Sequence, residues 1–357
     1  MTASSRPAGA APSSAASLDR IAAALAAAVA CIALAAASPG TDVSWLLVVG
    51  ERLLNGDRLY VDLLEVNPPA SVLLYLPAVW LGRVTGLPAE AWTSLTTTAV
   101  CIGALWAAGR ILRPAGLLAR PGLAALAASV AFLLLPGEAF AQREHIAVLL
   151  LAPGLALVMR RMAGGPAVGG LAACGVGLLS GLAICIKPQF GLALLLPQAA
   201  AAWRARSLLP MLQAENWTSL AVVAAYGAAT AVWTPAFWTD MLPLLTAAYR
   251  PLRLAPGDTA LLTARYAAPF LLYLAVRPQL LRQAAVPLLA ALGFLVAAVE
   301  QGKGWPYHFL PAVALAAYVV LLDGLTLIAG RRGGADALRA AAAGAVALAG
   351  VALFVRP

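Results

Sequence analysis

The chain has 357 residues, of which 62% are hydrophobic and only 11% charged, and its formal net charge is +9. Soluble domains carry roughly a quarter charged residues, so this composition excludes a water-soluble fold and calls for an all-α, polytopic transmembrane bundle. The positive charge does not point to nucleic acid, because Lys and Arg fall in short clusters between apolar runs, as in cytoplasmic loops.

Residues 1–20 are rich in Ala, Ser and Pro and read as a disordered cytoplasmic tail. Residues 21–357 read as a single transmembrane domain. Arg20, the apolar run Ile21–Ala37 and the triplet Ala35-Ala36-Ala37 are signal-peptide features. The length of the run and the helices that follow favour an uncleaved first helix. A crossing helix needs about 20 mostly apolar residues. Runs of this kind, some short, lie near 21–38, 91–109, 121–137, 146–159, 166–186, 188–203, 217–238, 260–277, 283–299, 306–323 and 337–355. They predict about 11 spanning helices.

Ala70–Leu87 is ambiguous, being apolar but holding Pro77 and Arg83. If it lies along the surface, Arg6, Arg20, Arg110/Arg113/Arg120, Arg160/Arg161, Arg204/Arg206, Arg277/Arg282 and Arg331/Arg332/Arg339 all fall on one side, which is then cytoplasmic. If it crosses, every later cluster opposes the N-terminal tail. A surface or re-entrant segment is therefore expected. Both histidines, both lysines and most carboxylates then face the outer side, and such charges at membrane depth mark function. The four cysteines lie inside apolar runs without CxxC spacing and read as small buried hydrophobes.

The first outer loop, residues 39–90, opens with Asp42. A short amphipathic surface helix is expected from Trp45 to Leu54, ended by Asn55-Gly56. Asp62, Glu65 and Asn67 precede the rigid Pro68-Pro69. A carboxylate here serves as a general base, as a ligand to a divalent cation, or only to solvate the loop. Glu138, Gln142, Arg143, Glu144 and His145 form a second cluster. Arg143 grips a phosphate or carboxylate, or pairs with Glu144. His145 carries a proton or ligates a metal. Lys187, just before Pro188, binds a phosphate or snorkels to the interface. Glu300, Lys303, Trp305, Tyr307 and His308 form a last group. Its rings suit a sugar face and its cation a phosphate, or else it is an aromatic belt with a snorkelling lysine. The loop carrying Tyr249, Arg250, Arg253 and Asp258 gives a weak signal for an acceptor or lipid entry path. No Walker loop, HExxH, GxSxG or dinucleotide fingerprint is present.

The stretches TDVSWLLVVGERLLNGDRLYVDLLEVNPP, FAQREHIAVLLLAP, GLAICIKPQF and KGWPYHFLPA, in this order, resemble the GT-C class of membrane glycosyltransferases. The nearest look is to the bacterial relatives of protein mannosyltransferases and aminoarabinose transferases. The resemblance implies a polyprenyl-phosphate sugar donor and a glycan, lipid or protein acceptor among membrane lipids. It places an inverting transfer at the outer face of the cell (inner) membrane. It makes Asp42 the catalytic base or a metal ligand, and Lys187 the contact to the donor phosphate, with Arg143 and Lys303 as further phosphate or lipid contacts. Glu65, Glu144, His145, Trp305, Tyr307 and His308 become substrate-binding candidates. A divalent cation, Mg or Mn, is allowed but not required. Some relatives carry Glu-Lys before the proline pair, where this chain has Val66-Asn67. A transporter or lipid flippase would share the helices and the polar mouth. It would also need ionisable groups near the bilayer midplane, where this sequence is nearly charge-free. A non-catalytic subunit of envelope synthesis is a third reading.

Overall fold

The computed structural model describes residues 14–330 and 333–355. Residues 1–13, which hold most of the expected tail, and Arg331 and Arg332 of the last basic cluster lie outside the described residues. The described residues are all-helical, with no strand and one isolated bridge between Leu59 and Leu63. In chain order the helices are α1 (Ser14–Ala36), α2 (Thr41–Leu54), α3 (Pro69–Leu73), α4 (Leu76–Thr85), α5 (Ala89–Leu112), α6 (Pro121–Ser129), α7 (Arg143–Met162), α8 (Gly170–Ile186), α9 (Leu192–Ala205), α10 (Ala214–Trp233), α11 (Leu242–Tyr249), α12 (Pro256–Val276), α13 (Leu280–Gln283), α14 (Ala285–Gln301), α15 (Pro306–Ala329) and α16 (Gly334–Val355).

Each apolar run read from the sequence overlaps one of these helices, although α6 covers only the first part of the run 121–137. Among the described residues, five helices are long and apolar enough to cross a membrane, or six if α10 and the segment after it, bent by 92°, form one span. Proline at the first helical position opens α12 and α15, where its missing N–H costs nothing. Large apolar side chains point outward as well as inward: Leu171 is 91% exposed and Trp203 87%. The interior is Ala, Val, Leu and Phe. A bundle that is apolar on both its faces fits a helical membrane protein.

The two ends of the bundle can be told apart from polar contacts. At the far end, Asp19 of α1 accepts hydrogen bonds from the backbone N–H groups of Gly122 (2.9 Å) and Leu123 (3.2 Å), capping α6. The Arg160 guanidinium at the end of α7 donates to the carbonyls of Ile111, Pro166 and Ala167 at 3.0, 2.7 and 3.2 Å. Arg161 pairs with Glu215, and Arg277 with Asp323 at 2.6 Å. Asp19, Arg160, Arg161 and Arg277 all have partners here, while one buried nitrogen of Arg120 has none among the described residues.

The ambiguous run 70–87 is broken into α3, five residues, and α4, ten residues, both short of the about 20 a crossing needs. Its beginning is fixed by the Ser71 hydroxyl, which donates to the Ile186 carbonyl at 3.0 Å, beside Lys187. Its end leads into α5, whose C-terminus meets Arg160 at the far end, so the start of α5 lies at the near end. Both ends of the run are therefore on the same side of the bundle. The expected surface helix is α2, which packs Val43, Leu46, Leu47 and Val49 inward and exposes Trp45 and Val48.

Candidate active site

At the near end, α2, the loop before α3, the start of α7, the end of α8 and the α14–α15 connection close around a cavity of about 310 Å³. Asp42, Glu65, Arg143, Lys187, Lys303, Trp305, Tyr307 and His308 line it, together with Trp45, Asn67, Tyr249 and Gln301. These groups come from sequence segments up to some 260 residues apart, brought together because charged residues in an apolar bundle collect where helices end.

Asp42 sits in the first turn of α2, where unpaired backbone N–H groups favour a carboxylate. The turn comes close to its neighbours because Gly40 has no side chain: a Cβ there would lie 2.8 Å from the Glu138 carbonyl. Asp42 is 44% exposed, and its Oδ2 lies 3.8 Å from the Arg143 guanidinium. That is the only ion pair it makes among the described residues. It is a loose pair that leaves the carboxylate open to the cavity.

Arg143 is 4% exposed and donates to the Asn67 side-chain oxygen, while its Nε has no hydrogen-bond partner among the described residues. Asn67 is held in turn by Glu65, whose Oε1 accepts from the Asn67 amide nitrogens at 2.8 and 2.5 Å. Glu65 Oε2 accepts from the Trp45 indole at 2.6 Å. Both Glu65 oxygens are thus committed, and Glu65 acts by positioning Asn67 and, through it, Arg143. Asn67, just before the proline pair, is thus tied to the cationic wall.

Glu144 does not reach the cavity, which corrects its place among the substrate contacts. It is fully buried behind the wall, and its Oε1 accepts from Lys187 Nζ at 2.5 Å. His308 Nε2 lies 3.7 Å from the same oxygen. The Arg143–Glu144 ion pair is replaced by Arg143–Asp42 and Lys187–Glu144, because successive helical residues point about 100° apart. Lys187 is 12% exposed and also donates to the Gln301 side-chain oxygen at 2.8 Å. It turns inward and does not snorkel.

His145 is a second correction. It is fully buried, accepts at Nδ1 from the Ala141 N–H (3.1 Å) and meets the Phe132 carbonyl with Nε2 (2.7 Å). The acceptor role of Nδ1 leaves the proton on Nε2. With both nitrogens occupied away from the cavity, it neither carries a proton there nor ligates a metal. Its work is local: Ala141 has φ 61°, in the left-handed region, and its carbonyl accepts from the Tyr75 hydroxyl at 2.7 Å. The two bonds hold a strained turn that sets Arg143 and Glu144.

Lys303 stands between Gly302 (φ +66) and Gly304 (φ +70), a backbone course only glycine takes easily. Its Nζ lies 3.3 Å from the Tyr249 ring centroid and 4.8 Å from that of Trp305. Partial burial, then the nearby charges of Lys187 and Arg143, push its pKa down to about 8. Trp305, Tyr307 and His308 pack as one aromatic group, with centroids 5.7 Å (Trp305–Tyr307) and 4.7 Å (Tyr307–His308) apart. Both His308 ring nitrogens are buried without a hydrogen-bond partner among the described residues. Buried polar atoms of this kind are rare, and a water or a polar group of a ligand would satisfy them.

Gln301 does not stand out in sequence because it is uncharged, while Asn67 stands out only as preceding the proline pair and Tyr249 only within the weak entry-path signal. Gln301 lies beside Glu300 and Lys303, the one signal that could have drawn attention to it. Among the described residues, no three His, Cys, Asp or Glu side chains are grouped to hold a metal ion. Asp42 and Glu65 are the carboxylates that line the cavity, and both Glu65 oxygens are already taken by Trp45 and Asn67.

Comparison with protein families, with curated proteins and with solved structures finds no match to this chain.

Proposed function

We propose that this chain is a membrane glycosyltransferase that moves a sugar from a polyprenyl-phosphate donor to a hydroxyl acceptor, inverting the anomeric centre. The observation that carries the reading is one open carboxylate, Asp42, facing a cavity walled by Arg143, Lys187, Lys303 and an aromatic group. Asp42 takes the proton of the acceptor hydroxyl. The freed oxygen attacks the anomeric carbon, the bond from that carbon to the phosphate oxygen breaks, and polyprenyl phosphate leaves with the electron pair. Arg143, Lys187 and Lys303 meet the growing phosphate charge with fixed cations, and Glu144 keeps Lys187 in place. Trp305 and Tyr307 offer ring faces to the sugar. The cavity is small for a ligand pocket, which supports a single sugar with its phosphate and a lipid tail left among the helices.

The same reading places the chain in the cell membrane with about 11 crossings and the cavity on the extracytoplasmic side. It is supported by the far end, where Arg160, Arg161 and Arg277 gather as the positive-inside rule requires.

The test is to incubate purified protein with polyprenyl-phosphate sugars and measure free polyprenyl phosphate. Asp42→Asn is expected to lower the rate by about 100-fold or more while thermal stability stays at the wild-type value. A variant that keeps its activity removes Asp42 from the mechanism. Movement of the lipid-linked sugar across vesicles without cleavage would instead mark a flippase.

A further inference from the structure

A second cavity, of about 410 Å³, lies beside the first and is lined by Thr246, Tyr249, Arg250, Arg253, Glu300 and Gln301. Tyr249 and Gln301 also line the first cavity, so the two share a wall. Nothing in the proposed transfer uses Arg250 or Arg253.

The second cavity is a built feature of the fold. Arg253 donates to the Glu300 carbonyl, and its side chain lies on Gly302, where a Cβ would meet Nε at 2.9 Å. The Leu254 N–H donates to the Gly302 carbonyl at 2.8 Å. The connection that carries Lys303 is thereby clasped to the segment that carries both arginines. Arg250 is exposed and has no side-chain hydrogen bond or ion pair among the described residues. Two guanidinium groups face one carboxylate, Glu300, so the cavity has a surplus of positive charge.

The approach to this cavity is apolar. The segment Phe237–Leu252 turns 92° from α10, so when α10 crosses the bilayer the segment runs along its surface. Trp238, Leu244 and Leu252 on this segment are 46%, 54% and 59% exposed. Apolar side chains in the acyl region with arginines at headgroup level are the arrangement that holds an anionic lipid.

We propose that the second cavity binds the acid headgroup, a phosphate or carboxylate, of an anionic amphiphile that enters from the membrane plane. Arg250 and Arg253 take the anion in paired hydrogen bonds. That this amphiphile is the acceptor rests on the glycosyltransferase reading: its hydroxyl then meets Asp42 past the shared wall of Tyr249 and Gln301.

The experiment is native mass spectrometry of the full chain in detergent, titrated separately with phosphatidic acid, phosphatidylcholine and inorganic phosphate. Wild type is expected to retain phosphatidic acid in preference to phosphatidylcholine. Arg250→Ala should weaken phosphatidic acid binding about tenfold, Arg250→Ala/Arg253→Ala further, and Arg250→Lys less than either. Arg250→Ala removes a side chain with no partner among the described residues and so keeps the fold, whereas the double variant also removes the Arg253 bond to the Glu300 carbonyl, which makes the single variant the decisive one. Equal retention of the two lipids, or binding that ignores both arginines, overturns the proposal. So does inorganic phosphate with the affinity and arginine dependence of the lipid, which would mark a site for a free anion. This readout needs no turnover, so an absence of sugar transfer overturns the glycosyltransferase reading and leaves the lipid site standing.

Discussion

The cations of the first cavity differ in how firmly they are held. Lys187 is locked between Glu144 and Gln301, in a buried pair whose partners cannot be removed singly without leaving a stranded charge. Arg143 is fixed by Asn67. Lys303 rests only on ring faces, and its pKa is pushed down to about 8 by burial and by its cationic neighbours. This makes it the group whose charge changes near neutral pH. The sign follows from the direction of the shift. Below about pH 8 the free protein carries Lys303 as an ammonium, and as pH rises through that value the charge is lost. A bound phosphate favours the ammonium, so binding raises the pKa and is opposed at high pH. Under the proposed function, kcat/KM for the donor should fall above about pH 8, while kcat, which reports the loaded site, holds to higher pH. Lys303→Arg, charged at every accessible pH, should flatten the fall in kcat/KM. An unchanged profile in that variant assigns the titration to another group.

The helices are held by small residues as much as by large ones. On α8, Gly177 and Gly181 are one turn apart and both face α10. A Cβ on Gly181 would lie 2.7 Å from Val222, and one on Gly177 would run into the backbone of Glu215. This is the close backbone approach that small residues spaced four apart allow in membranes. Gly177→Leu should therefore cost about 1–3 kcal/mol by forcing α8 and α10 apart. The readout is a lower melting temperature in detergent and, since α8 ends at Lys187, a weaker donor affinity. Gly175→Leu is the control, because nothing lies within 4 Å of a Cβ there and its effect should stay within about 0.5 kcal/mol. Equal effects of the two would mean that the α8–α10 contact is not the cause. The helices themselves were legible in the sequence because a run of apolar residues long enough for a membrane has few other ways to satisfy its backbone. The charged site residues were legible for the converse reason, that Asp42 and Lys187 stand singly, and Arg143–Glu144 and Glu300–Lys303 in small groups, between apolar runs. Their partners were not. Glu144 pairs with Lys187, 43 residues away, and not with adjacent Arg143, because packing between α7 and α8 decides the matter. His145 looked like chemistry and proved to be the brace of a left-handed turn, a role set by the backbone at Ala141 that composition does not reveal.

At the scale of the whole molecule, the polar contacts define an axis before any membrane is considered. Asp42, Arg143, Lys187 and Lys303 mark one end, while Asp19, Arg160, Arg161 and Arg277 mark the other. α7 joins the ends directly, since its 20 residues at about 1.5 Å each reach about 30 Å, the thickness of a hydrocarbon core. The far end holds the larger share of the arginines, so it should face the cytoplasm. Two exposed positions, one at each end, test this axis. Glu90, in the first turn of α5, belongs to the near end, because the last turn of α5 meets Arg160. Arg204, in the last turn of α9, belongs to the far end, because α9 begins just after Lys187. In a background with Cys31, Cys101, Cys174 and Cys185 replaced by alanine, Glu90→Cys should react with a membrane-impermeant maleimide on intact cells. Arg204→Cys should react only after the membrane is opened. The reverse pattern would put the cavity on the cytoplasmic side, where the proposed donor headgroup would have to be presented from within the cell. If both positions react from outside, the axis itself is wrong, because the near and far ends would then share one face of the membrane. Glu90 follows the run 70–87 directly, so its side also settles whether that run returns to the face it started from, as Ser71 on the Ile186 carbonyl requires.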